Sequence, residues 1–155
     1  MRAWTLSTTT LLCCGSLANA QINALSIGPP QKTTAKIGST VDVKTAVEIR
    51  PGYHCNSNTP SEDYLIPLRL TWTAGPLESP AIEYPKPQME RFSFSDKALS
   101  VYTGDFVITT KFKVAANANP GTVFVTGKLR YQACNDRMCL PPKTIDVSLP
   151  VDIIR

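Results

Sequence analysis

The stretch Val123-Phe124-Val125-Thr126-Gly127-Lys128-Leu129-Arg130-Tyr131-Gln132-Ala133-Cys134-Asn135-Asp136-Arg137-Met138-Cys139-Leu140-Pro141-Pro142 decides how the chain is read. Val123, Val125, Gly127, Leu129 and Tyr131 fall on one face of a period-two pattern, and Ile145, Val147, Leu149, Val151 and Ile153 repeat it after the proline pair. Strict alternation over such a length marks a half-buried strand. Between the two strands, Cys134 and Cys139 flank four residues rich in turn formers. The segment therefore reads as a β-hairpin whose tip carries two thiols able to close on each other. Residues opposed on antiparallel strands lie ~4.5–5.5 Å apart at Cα, within the ~4.4–6.8 Å that a disulfide usually needs.

Working outward, Val41, Val43, Val47 and Ile49 alternate with Asp42, Lys44, Ala46 and Glu48, and Pro51-Gly52 follows as a turn. Gly52 to Pro60 is polar and turn-prone, too irregular for a strand throughout. Tyr64, Ile66, Leu68, Leu70 and Trp72 share one parity, with Pro67 on the other, which suggests an edge or a bulge. Gly75 to Pro87 reads as a proline-rich connection. Phe106, Ile108, Phe112 and Val114 mark a further strand, and Asn117 to Gly121 the turn after it. Seven or eight short strands, thirteen prolines and no helix-period segment predict an all-β domain, an immunoglobulin-like antiparallel β-sandwich.

The chain has 155 residues, enough for one domain with a core, and a formal charge of +4. The basic residues are scattered, with no concentrated basic face carrying aromatics, which argues against nucleic-acid binding. Arg2, the apolar run Leu6 to Leu17 and the small-x-small triplet Ala18-Asn19-Ala20 read as a signal peptide over residues 1–20, leaving one domain over 21–155 and an exported, periplasmic protein. Cys13-Cys14 raises lipoprotein anchoring as a minor alternative, disfavoured because Cys13 stands where a small residue is wanted before Cys14. No later segment is apolar enough to cross a bilayer. Of five cysteines, Cys55, Cys134 and Cys139 remain after cleavage, in a compartment where close pairs oxidise.

Two readings of the pair stand side by side on spacing alone. A six-residue loop gives only about 2 kcal/mol of chain-entropy stabilisation against roughly 3 for fifteen residues, so a redox role competes evenly with a plain hairpin staple in a non-redox interaction domain. A third reading draws on His54, Cys55, Cys134, Met138 and Cys139, side chains of a kind that suits Cu(I) or Zn, provided the loop near residue 54 reaches the hairpin tip. Their spacing matches no zinc motif, and a lone histidine in such a loop is expected at the surface or as a cap. One histidine, no Gly-x-Ser-x-Gly elbow, no Walker loop and no dinucleotide fingerprint leave hydrolytic or nucleotide chemistry, and any cofactor, without support.

Gly52-Tyr53-His54-Cys55-Asn56-Ser57-Asn58-Thr59-Pro60, Tyr64-Leu65-Ile66-Pro67-Leu68, Tyr84-Pro85, and Tyr131-Gln132-Ala133-Cys134 to Cys139-Leu140-Pro141-Pro142 together resemble the N-terminal periplasmic domain of the thiol-disulfide interchange protein DsbD. The resemblance implies an immunoglobulin-like sandwich whose dithiol receives reducing equivalents from a membrane-embedded or thioredoxin-like reductant and passes them to a periplasmic disulfide isomerase or a cytochrome c maturation protein. It implies Cys134 and Cys139 as the redox pair, with Cys139 attacking and Cys134 resolving. It also implies an aromatic cap over the disulfide, for which Phe94 is the first candidate and Phe92 the second, with Tyr131 and Gln132 as further cap or substrate-contact candidates. Arg137 and Lys143 would favour a thiolate and Asp136 would oppose it. Membrane and thioredoxin-like domains of the full-length relatives have no counterpart before Arg155, so a separate donor is expected. Cys55 stands where an aliphatic residue is expected, and is read as a small buried hydrophobe.

Overall fold

Twelve strands and no helix make up the computed structural model, which describes residues 23–155. In chain order they are β1 (Leu25–Ile27), β2 (Thr33–Lys36), β3 (Thr40–Ile49), β4 (His54–Asn56), β5 (Arg69–Trp72), β6 (Leu77–Glu83), β7 (Gln88–Glu90), β8 (Leu99–Tyr102), β9 (Asp105–Val114), β10 (Gly121–Tyr131), β11 (Ala133–Cys134) and β12 (Lys143–Ile154). The signal-peptide reading, with Arg2, Cys13, Cys14 and the Ala18–Ala20 triplet, lies outside the described residues.

Two four-stranded sheets, ordered β1-β3-β9-β6 and β2-β12-β10-β5, supply the halves of the sandwich. Their inward faces follow the alternation in the sequence. Val41, Val43, Val47, Ile108, Phe112 and Val114 from one sheet meet Val125, Leu129, Val147, Leu149 and Val151 from the other in a single buried cluster. The sheets are also pinned together by one side chain. Trp72 of β5 donates its indole N–H to Thr110 Oγ1 of β9 at 3.0 Å and packs edge-on against Phe112, ring centroids 5.4 Å apart. A buried indole nitrogen needs such a partner, because an unpaired donor in the core costs about 1–3 kcal/mol. All pairings are antiparallel except that of β2 with β12. Pro150 sits in β12 one residue before that parallel pairing begins at Val151, where the strand has a neighbour on one side only. The immunoglobulin-like antiparallel sandwich expected from the sequence is the fold.

Three local expectations are corrected. The strand read over Tyr64 to Trp72 begins only at Arg69, and Tyr64 is 77% exposed. Gly75 to Pro87 is not merely a connection, because Leu77–Glu83 pairs with β9 as an edge strand. Its proline is accommodated by an irregularity: the register shifts between Glu78 and Ala81, Ser79 takes a positive φ of 52°, and Pro80 falls inside the shift. Finally, the polar segment after Gly52 contains a strand. His54, Cys55 and Asn56 are all buried in β4, within a third sheet ordered β11-β4-β8-β7. β4 and β8 are covered on both faces and only three and four residues long, so they carry no alternation to read.

Candidate functional site: the hairpin-tip disulfide

The third sheet exists to one side of the sandwich and brings the hairpin tip against the β3–β4 turn. β10 and β12 remain in register down to Tyr131 opposite Lys143. Below that point Gln132 Nε2 donates to the Leu140 carbonyl at 3.1 Å, tying the neck of the loop. Leu140 N donates to Ala133 O at 2.8 Å and Asn135 N to Met138 O at 2.9 Å. These two bonds bracket Cys134 and Cys139, which therefore occupy a non-hydrogen-bonded pair, the closer of the two antiparallel pair types. Their Cα atoms are 3.9 Å apart and their sulfurs are bonded. Beyond them the Asn135 side chain closes the turn, its Oδ1 accepting from Arg137 N at 2.9 Å and Met138 N at 3.0 Å. An Asn in this role supplies the turn's hydrogen bonding locally.

The two cysteines differ in exposure. Cys134 is 2% exposed, while Cys139 is exposed and its neighbour Met138 is 60% exposed. Cys134 belongs to β11, whose register against β4 sets Cys134 opposite His54 and Ala133 opposite Cys55. Directly opposed residues project to the same face of a sheet. His54, Cys134 and Cys139 thus form one cross-strand row. What aims His54 is the turn before it: Tyr53 N donates to Arg50 O, Pro51 sits at the second position, and Gly52 takes φ +82° at the third. That is the backbone a type II turn needs, and only glycine adopts it cheaply.

On the row's outer side lies an aromatic stack. The His54 ring and Phe92 stack with centroids 4.0 Å apart, and Phe92 and Phe94 stack at 5.3 Å. Phe92 is half-buried and Phe94 is 49% exposed, so the stack runs from the buried histidine outward to solvent. His54 is only 4% exposed, where the sequence suggested a surface or capping position. Burial pushes its pKa below the ordinary histidine value of 6.5, and the Asp136 carboxylate at the hairpin tip opposes that shift. An open cleft of about 420 Å³ runs alongside, lined by His54, Phe92, Asp136, Arg50, Glu90 and Thr103 among others.

The remaining candidates fall elsewhere. Tyr131 is 2% exposed within the core cluster, its hydroxyl 3.5 Å from the Leu25 carbonyl. Cys55 is a free thiol, 1% exposed, flanked by Ala133 and Tyr102 in the core, and desolvation pushes its pKa up to about 12. It behaves as the small buried hydrophobe expected. The loop near residue 54 does reach the hairpin tip, but Cys55 turns to the opposite face from His54. Among the described residues no group of three or more His, Cys, Asp and Glu side chains is arranged to hold a metal ion.

The polar residues after Cys55 prove structural. Asn56 Nδ2 donates to Ile66 O at 3.1 Å, and the Ser57 and Ser100 hydroxyls share a bond of 2.7 Å. The first satisfies a backbone carbonyl of the chain that returns toward β5, and the second ties that chain to β8 through two buried side chains. The residue that sequence reading undervalued is His54. Its only signal was position, next to Pro51-Gly52, and nothing in the chain's periodicity announced that it faces Cys134.

Compared with known proteins, the chain matches the family described as "Thiol:disulfide interchange protein DsbD, N-terminal" over residues 26–150. Among solved structures it is similar to the N-terminal periplasmic domain of ScsB from Proteus mirabilis, with a TM-score of 0.53 and 16% identity, covering 83% of this chain and 44% of that one. The chain thus spans less than half the length of that relative. The Neisseria meningitidis DsbD N-terminal domain in the reduced form aligns at a TM-score of 0.43 and 18% identity, over 71% of this chain and 77% of that one. No curated protein matches the sequence.

Proposed function

The chain belongs to the family of DsbD N-terminal domains, and from that premise we propose that it is an exported, periplasmic thiol–disulfide interchange module working through Cys134 and Cys139. The observation that carries this reading is the unequal exposure of the two bonded cysteines at the tip of a hairpin, Cys139 an exposed residue and Cys134 a buried one opposite His54. A staple gains nothing from that asymmetry. An exchange site needs it, because a partner must reach one sulfur while the other stays poised to resolve.

In the reducing direction, the Cys139 thiolate attacks one sulfur of a partner's disulfide. A protein–partner S–S bond forms, the partner's own S–S bond breaks, and its second sulfur leaves as a thiolate. Cys134 then loses its proton and attacks Cys139, forming the intramolecular disulfide and releasing the partner as a dithiol. Two protein thiols are oxidised and one partner disulfide is reduced. A membrane-embedded or thioredoxin-like dithiol restores the starting state. Acceptors of the class implied by the family are periplasmic disulfide isomerases and cytochrome c maturation proteins. Phe92 and Phe94 stack outward from His54, which faces Cys134, and serve as the candidate cap and partner-contact residues of the site. No helix among the described residues is long and apolar enough to cross a membrane.

The test is a trapping experiment on extracts. Cys134→Ala leaves an attacker without a resolver, and mixed disulfides accumulate through Cys139. Cys139→Ala accumulates few, because Cys134 is covered. Trapping mainly through Cys134 would reverse the roles, and no trapping by either variant would leave the staple reading in its place.

A further inference from the structure

The mechanism above leaves one proton without a destination. When Cys134 resolves the mixed disulfide it must first be a thiolate, yet it is 2% exposed and the residue opposite it in the row is His54. A free cysteine has a pKa near 8.5, and apolar burial raises it further.

We propose that His54 is the proton acceptor for Cys134 in the resolving step, a role that rests on the dithiol being exchange-active. His54 is directly opposite Cys134 across β4 and β11, its side chain on the face that carries both sulfurs. Its ring is held against Phe92 at 4.0 Å, which limits its freedom to turn away.

The electrostatic surroundings suit the task. Burial disfavours the imidazolium, so the neutral imidazole, the form that can accept a proton, is favoured over a competing cation. Asp136, on the hairpin tip, favours the imidazolium once the proton has arrived. Arg50 and Glu90 line the adjoining cleft with opposite charges, Thr103 contributes a hydroxyl, and Cys55 on the same strand is a neutral thiol turned into the core. In the step itself, the Cys134 S–H bond breaks and the proton passes to the imidazole nitrogen. The resulting thiolate attacks Cys139 sulfur, the Cys139–partner bond breaks, and the partner leaves as a thiolate that can take the proton from His54. In the opposite direction, a donor thiol passes its proton to the imidazole as its thiolate attacks Cys139, the Cys134–Cys139 bond breaks, and the imidazolium so formed protonates the departing Cys134.

The experiment uses the reduced mature chain, residues 21–155, and an aromatic disulfide, 5,5′-dithiobis(2-nitrobenzoate), in stopped flow. The first thionitrobenzoate released reports attack by Cys139, and the second reports resolution by Cys134. In the wild type the second phase should rise with pH, bend at a pKa below the ordinary histidine value, and then level off. His54→Phe keeps an aromatic ring for Phe92 to stack on but removes the base. Its second phase should be about 10²-fold slower near neutral pH, in line with general-base contributions, and should climb with pH without the low bend. Its first phase should still report attack by Cys139, and its urea-unfolding midpoint checks independently that the variant is folded. Asp136→Asn provides a second measure, expected to move the bend to lower pH. A His54→Phe second phase with the wild-type rate and profile, or, should that variant not fold, an Asp136→Asn bend that does not move, would overturn the role of His54. A wild type that releases no second thionitrobenzoate would instead overturn the exchange reading beneath it.

Discussion

Reducing Cys134–Cys139 should destabilise the fold only slightly, and the magnitude separates an exchange site from a staple. The bridge joins residues at a sequence separation of 5. In the chain-entropy model a loop of about six residues removes roughly 2 kcal/mol from the unfolded ensemble. The hairpin neck does not depend on the bridge, because β10 and β12 pair continuously above it and Gln132 ties the loop to Leu140. Native-state loss on reduction should accordingly be small. By the thermodynamic cycle, the same ~2 kcal/mol makes the folded disulfide harder to reduce than an unstructured one by only ~40 mV. That shift leaves the pair within reach of thioredoxin-like donors. Urea unfolding with and without a phosphine reductant, followed through Trp72 fluorescence, measures the difference, and a thermal scan should show a drop of roughly 4–8 °C. Equilibration against glutathione gives the potential. A loss above about 4 kcal/mol, or a potential below about −300 mV, would refute the reasoning and mark the bridge as a structural clamp.

Two further outcomes test the surroundings of the site. Gly127→Ala should cost about 1–3 kcal/mol in urea unfolding with no change in redox potential, because an added Cβ would lie 2.5 Å from the Thr71 carbonyl oxygen and 2.7 Å from the Trp72 ring, far from the disulfide; an unchanged midpoint would contradict the packing. Cys55, 1% exposed with its pKa pushed up to about 12, should resist iodoacetamide in the reduced native protein at pH 8 while Cys139 reacts, and become labelled only in denaturant; mass spectrometry showing equal labelling would place Cys55 at the surface.

Local sequence was sufficient for anything that one element encodes by itself. Alternation over β3, β9, β10 and β12 made their buried faces readable, since each is long enough to show period two and each buries one face only. Cys-x₄-Cys between two such strands located the hairpin tip, and Pro51-Gly52 located the turn that precedes His54. β6 escaped notice because its proline is tolerated only by an irregularity at a sheet edge, and edges are not visible along a chain.

What no stretch of sequence could decide is who stands beside the disulfide. His54 meets Cys134 because β11 pairs with β4, and β4 is held by β8, a sheet assembled from segments too short and too fully covered to carry a pattern. Register in such a sheet is set by the packing of distant strands, and a one-residue slip would have turned Cys55 toward the sulfurs and His54 into the core. The sequence by itself determined the sandwich and the pair of thiols, because both are written in local periodicity and spacing. The tertiary structure decided which thiol is open, which is covered, and that the covered one has a histidine for its neighbour, because those depend on which face of each strand the rest of the chain leaves free.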